Sequence, residues 1–211
     1  MSKNNDGFSV SLGLFDYINP ILYTITSFTI IKNMKGIIES PYYNFLIIGA
    51  VLSLIFGFII PTGKFIVGLG IIKFRMPVSL VFLVNSGILI FGMVLFKNIF
   101  NIKLWLFLLL ILVAFILLLI IYMKKKKFNT VAVLTGAIGY LFIYASLIKQ
   151  SINNNLILPI VLYVIAICLF VMLCGIGIKA NLKDSKVHWI IEISNVLCQL
   201  SVAIGTIILF R

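Results

Sequence analysis

The sequence predicts an all-α polytopic membrane protein: seven transmembrane helices arranged as two three-helix bundles joined by a linker helix. Three observations carry this. Hydrophobic residues make up 63% of the 211 residues, and the mean hydropathy is +1.24, far outside the range of a soluble globular domain. A bilayer span needs roughly 20 apolar residues. Seven segments of that kind run at about 16–32, 43–61, 77–97, 104–123, 129–148, 156–178 and 189–210. Finally, an asparagine stands at matching depth in the third and the seventh, Asn85 and Asn195, and hydrocarbon penalises an unpaired amide.

The first segment, FDYINPILYTITSFTIIKNMKG, is the most polar. Asp16, Tyr17 and Asn19 precede Pro20, a residue that starts or kinks a helix. No cleavable signal peptide is expected, because Lys32 and Lys35 follow this stretch rather than a small-residue cleavage site. The second segment ends at Pro61-Thr62-Gly63, a turn signal. The apolar stretch between Lys64 and Lys73 is too short to span and reads as an interfacial or re-entrant piece. Met76-Pro77 opens the third segment, which holds Asn85, Ser86 and Gly87.

The fourth segment, LWLFLLLILVAFILLLIIYM, has no polar interior residue and reads as a lipid-facing connector. The lysine run 124–127 closes it as a stop-transfer anchor near anionic headgroups. The fifth carries Tyr140 beside Gly136 and Gly139, small residues that allow close helix approach. A polar turn at 153–155 leads to the sixth, which starts near Pro159 and contains Cys168, Cys174, Gly175 and Gly177. The linker NLKDSK precedes the seventh. The chain therefore divides into a first repeat at 1–98, a linker helix at 99–127 and a second repeat at 128–211.

Several function classes are excluded. The net charge of +12 comes from 17 Lys and Arg against 5 Asp and Glu. The basic residues sit in the connections, where they anchor helix ends, so nucleic acid is not expected as a partner. The three cysteines all lie in apolar segments and one histidine is present, which predicts neither a disulfide framework nor a metal site, and no cofactor. There is no P-loop, GxSxG, HExxH or CxxC motif, and no pair of membrane carboxylates is apparent. A lysoplasmalogenase-like membrane enzyme would need aspartates in the middle spans, which hold none. The expectation is a protein that is not an enzyme.

His188, Glu192, Asn195 and Gln199 are spaced by four, three and four, which puts them on one stripe of the last helix. Glu192 falls about one turn inside the membrane boundary, and a carboxyl there costs several kcal/mol unless paired, hydrated or protonated. His188 is a natural partner. Either the stripe lines a polar cavity or proton-linked path, or His188 and Glu192 snorkel to headgroups while Asn195 and Gln199 hold helices together. Asn85 likewise reads as a ligand contact or as helix glue.

The two halves repeat an order of marks: a basic helix end, a proline opening the next helix, a glycine near its close, and an asparagine in the third helix. In the first half these are Asn19-Pro20, Ile30-Ile31-Lys32, Ser40-Pro41, Phe56-Gly57 and Asn85. In the second they are Leu147-Ile148-Lys149, Leu158-Pro159, the glycines Gly175 and Gly177, and Asn195. On these marks the chain resembles the SWEET sugar transporters of the PQ-loop superfamily over about 15–210. The resemblance implies facilitative transport by alternating access of a small polar solute, a sugar foremost. It implies Asn85 and Asn195 as the substrate asparagines. Pro20, Pro41, Pro77 and Pro159 would supply gating kinks. Glu192, His188, Gln199 and Ser53 are the further cavity-lining or proton-linked candidates. The tryptophan positions of the family's pocket fall here near Ser53 and around 172–173, while Trp105 and Trp189 lie elsewhere.

Basic residues number 11 on the N-terminal side of the membrane and 6 on the other, which places the N-terminus in the cytoplasm, the reverse of SWEET proteins. The expected setting is an integral, multi-pass protein of the plasma membrane or an organelle membrane, with the lipid bilayer and a small polar solute as partners. A homo-oligomer is permitted and not required, since both halves lie in one chain. The competing reading is a membrane partner subunit or scaffold whose polar stripe binds another membrane protein.

Overall fold

The computed structural model describes residues 9–71, 78–125, 128–179 and 185–211. Among these the chain forms eight helices and no strand. They are α1 (Val10–Asp16), α2 (Ile18–Met34), α3 (Ser40–Gly68), α4 (Val78–Ile99), α5 (Leu104–Lys125), α6 (Phe128–Asn153), α7 (Ile157–Lys179) and α8 (Ser185–Leu209). Six spans among the described residues are long and apolar enough to cross a membrane: Val10–Met34, Ser40–Gly68, Ser79–Ile99, Thr130–Asn153, Ile157–Ile176 and Lys186–Leu209. The protein is an all-α, multi-pass membrane protein.

Helices α1 and α2 make one broken span. The break follows from Pro20, whose missing N–H leaves the Asp16 carbonyl without its helical donor and whose ring crowds it. The span begins earlier than the sequence predicts, at Val10, because Ser9 caps it: its Oγ accepts from the Leu12 N–H at 3.2 Å.

Helix α3 corrects a second expectation. Pro61-Thr62-Gly63 is not a turn, and Lys64–Gly68 is not a separate interfacial piece; the helix runs through to Gly68. An interior proline withdraws one hydrogen bond, here from the Gly57 carbonyl, and membrane helices tolerate this where hydroxyls take up backbone groups nearby. Thr62 Oγ1 donates to the Phe58 carbonyl at 2.7 Å and lies 2.6 Å from the Tyr17 hydroxyl across the α2–α3 contact. Among the prolines assigned to gating kinks, Pro41 and Pro159 stand in the first turn of a helix, where proline displaces no interior bond, and Pro20 stands at the break between α1 and α2. Pro77 lies outside the described residues.

The helices close into a ring in the order α2, α3, α4, α6, α7, α8 and back to α2, with α1 against α3 and α8, and α5 outside on α6. Exchanging the halves turns the α4–α6 joint into the α8–α2 joint. The tightest seams are built on glycine. A Cβ on Gly49 would stand 2.7 Å from the Phe91 backbone nitrogen, and one on Gly139 would stand 2.7 Å from that of Leu89. One half of the ring is filled by an apolar cluster that includes Ile30, Leu46, Phe91, Leu95, Tyr144 and Tyr163.

Gly139→Val forces α6 away from α4, and a loss of about 1–3 kcal/mol is expected. Thermal unfolding in detergent measures it, with Leu112→Ala on α5, whose side chain is 53% exposed, as a near-neutral comparison.

Candidate functional site

The other half of the ring holds a cavity of about 190 Å³. Helices α1 and α2 contribute Asp16, Asn19, Pro20 and Tyr23, and α3 contributes Ser53, Gly57, Ile60 and Lys64. Val84 and Ile88 come from α4, Tyr140 from α6, and Glu192, Asn195 and Gln199 from α8. No residue of α7 lines it among those described. The floor is apolar, since Tyr23 and Ile88 belong to the cluster that fills the far half and Tyr140 packs against it.

Three charged side chains meet in this cavity. Lys64 Nζ lies 2.6 Å from Asp16 Oδ2 and 2.5 Å from Glu192 Oε1. Asn19 Nδ2 donates to Asp16 Oδ1 at 3.0 Å and to Glu192 Oε2 at 3.1 Å. Both oxygens of each carboxylate are thus bonded, one to the ammonium and one to the amide. Asp16 and Asn19 are three residues apart and share a helix face across the break at Tyr17. The side chains of Lys64, Asp16 and Glu192 are 11%, 7% and 6% exposed, so little water shares the load. With all three ionised, the cluster carries a net charge of −1.

Several polar groups around it are uncommitted. Asn19 Oδ1 and the Tyr23 hydroxyl are buried without a hydrogen-bond partner. Asn195 lines the cavity one turn past Glu192, and no hydrogen bond of its side chain is formed among the described residues. Gln199 Nε2 donates to the Tyr140 hydroxyl at 2.8 Å. Ser53 Oγ is occupied with the Gly49 carbonyl at 2.8 Å and the Val84 carbonyl at 3.3 Å.

The structure brings together Glu192, Asn195, Gln199 and Ser53 from the sequence candidates, with Pro20 beside them. His188 is buried one turn before Glu192 and is not part of the cavity wall. Glu192 takes Lys64 and Asn19, where the sequence offered His188 as its partner. Asn85 is placed elsewhere: its Nδ2 donates to the Ala132 carbonyl of α6 at 2.8 Å, and its side chain lies over Gly136 at the α4–α6 seam. The expectation of no paired membrane carboxylates is also corrected. Asp16 belongs to a span once Ser9 starts it, and it meets Glu192 across the ring closure.

Lys64 and Asp16 are the residues that sequence reasoning missed. A signal existed: Ser53, Gly57, Ile60 and Lys64 follow the same four, three, four spacing as the stripe on α8. Reading Pro61-Thr62-Gly63 as a turn cut that stripe before its charged end.

Lys64→Met strands two buried carboxylates and is expected to lower stability by about 3–5 kcal/mol. The triple substitution Lys64→Met, Asp16→Asn, Glu192→Gln removes every charge and is expected to recover most of that loss. Thermal unfolding in detergent compares the two; equal losses would contradict the charge network. No family model, no curated protein and no solved structure matches this chain, so the site is read from its own geometry.

Proposed function

We propose that the protein is a membrane transporter that moves a small polar solute by alternating access, a facilitator and not an enzyme. The observation that carries this is a polar cavity holding three charged side chains inside a ring of bilayer-length helices. Ionisable groups at such depth are expensive and line solute or ion paths far more often than they serve packing. The broken helices support the same reading. Transporter sites are typically built where interrupted helices leave backbone groups facing a cavity. Here Pro20 and Pro61 withdraw donors from the carbonyls of Asp16 and Gly57, two residues of the cavity wall.

The volume sets the scale of the solute. At about 30 Å³ per water, the cavity has room for roughly six waters or one small molecule of similar bulk. The resemblance to SWEET transporters puts a sugar first, with Asn195 as the amide contact. The apolar floor leaves the cavity blind at one end. Passage then requires the cluster around Phe91 and Tyr144 to part while the charged end closes. The cyclic order of contacts, alike under exchange of the halves, suits two bundles rocking about one site. The membrane is the plasma membrane or that of an organelle, and one chain suffices.

Uptake of labelled hexoses, disaccharides, amino acids and organic acids into proteoliposomes tests the proposal. Asn195→Ala is expected to lower flux about tenfold, the worth of one hydrogen bond of about 1.4 kcal/mol, at an unchanged unfolding temperature. Asn85→Ala is expected to do the opposite. It loses about 1 kcal/mol of stability with the α4–α6 hydrogen bond and keeps its flux per folded molecule. A well-folded protein with no flux of any solute would favour the partner-subunit reading instead.

A further inference from the structure

We infer that the solute of this cavity carries a positive charge, specifically the ammonium group of a small organic cation. The inference builds on the transporter reading for the movement of that solute, and on geometry alone for its binding.

The fixed charge is the first argument. With both carboxylates ionised, two carboxylates and one ammonium leave the cavity wall at −1, in surroundings where water screens little. An anionic solute finds no free cation there among the described residues, because Lys64 already lies within 2.6 Å of one carboxylate and 2.5 Å of the other. The second argument is independent of charge. Asn19 Oδ1 accepts hydrogen bonds and cannot donate, it has no partner, and its residue is only 8% exposed. The Tyr23 hydroxyl is equally without a partner on a residue 7% exposed, four positions on and on the same helix face. Buried polar atoms are normally bonded, so two unbonded atoms on residues that line one cavity mark where donors from outside the chain belong. An ammonium offers three N–H groups. It can give one to Asn19 Oδ1, one to the Tyr23 hydroxyl and one to the anionic cluster. A bare metal ion fits less well. The cavity has the volume of several waters, and among the described residues no group of three or more His, Cys, Asp or Glu side chains assembles to hold one.

The test uses matched pairs that differ in charge: glucosamine against glucose, and ethanolamine against ethylene glycol, at neutral pH, where the amines are largely protonated. Binding is read as the thermal shift of the full-length protein in detergent, and transport as uptake into proteoliposomes. At least one amine is expected to raise the unfolding temperature and to enter vesicles at least tenfold faster than its neutral counterpart. Glu192→Gln, which removes one negative charge and keeps the shape, is expected to abolish that preference. Tyr23→Phe removes an unbonded hydroxyl, so it is expected to fold normally and to weaken amine binding about tenfold. It remains informative should Glu192→Gln fail to fold. Equal uptake of the neutral and charged members of both pairs would overturn the inference and leave the transporter reading standing. Amine-specific binding without flux of any solute would do the reverse. No shift and no flux with either amine would overturn the inference.

Discussion

Lys64 sits between Asp16 and Glu192, and none of the three tolerates hydrocarbon alone. They come from α3, α1 and α8, separated by 48 and 128 positions along the chain, so satisfying one charge fixes the relative placement of three helices. The place they fix is the closure of the ring, where the first and last spans meet. A buried ion cluster is a poor device for stability alone. Replacing such groups with apolar ones of similar volume is often neutral or stabilising by about 1–4 kcal/mol. Its presence here is better explained by what it faces, a cavity with unpaired polar atoms, than by the helix contacts it holds.

The backbone around the cluster is adapted to it. Pro20 breaks the first span next to Asp16, and Pro61 interrupts the α3 ladder one turn before Lys64. The two disrupted stretches face each other: a Cβ on Gly57 would lie 3.7 Å from the Cβ of Pro20. Each proline withdraws a donor from a carbonyl four residues earlier, Asp16 in one case and Gly57 in the other, and both residues line the cavity. Close approach is supplied elsewhere, at Gly13 and Gly68 where α1 meets the end of α3. Those contacts hold the charged end of α3 against the start of the first span.

Hydropathy made the spans legible, because bilayer length and apolar composition are properties of local sequence. The stripe on α8 was legible for the same reason, its 3.6-residue phase being uninterrupted. Neighbours of α8 were not, since spacing within one helix says nothing about which helix it meets. Glu192 therefore found Lys64, where the sequence could offer only His188, a residue one turn away. Asn85 was read as a twin of Asn195 from depth alone. What decides its role is azimuth: on α4 it turns to the glycine seam with α6, and its amide is consumed by the Ala132 carbonyl. Pro61-Thr62-Gly63 misled for a further physical reason. In water that triplet is a strong turn signal, but inside a membrane protein the lost hydrogen bond is local and the Thr62 hydroxyl takes up the neighbouring carbonyl.

The cavity does not share the symmetry of the ring that encloses it. Helices α1, α2, α3 and α8 supply the charged and amide groups, α6 supplies one tyrosine, and α7 none among the described residues. The polar wall lies on α1, α2, α3 and α8, while α4 presents the apolar side chains Val84 and Ile88 and α6 presents Tyr140. The α4–α6 seam is packed closely on glycine and bridged by the hydrogen bond from Asn85 to the Ala132 carbonyl. The α2–α8 joint lies opposite, and it is there that Lys64 and Asn19 bridge Asp16 to Glu192. Opening the ring at that joint would separate Glu192 from Lys64 and expose both, which is costly in hydrocarbon unless something takes the place of the lost partner. A solute that brings its own charge lowers that cost. The pair that closes the ring would then also couple its opening to what the cavity contains.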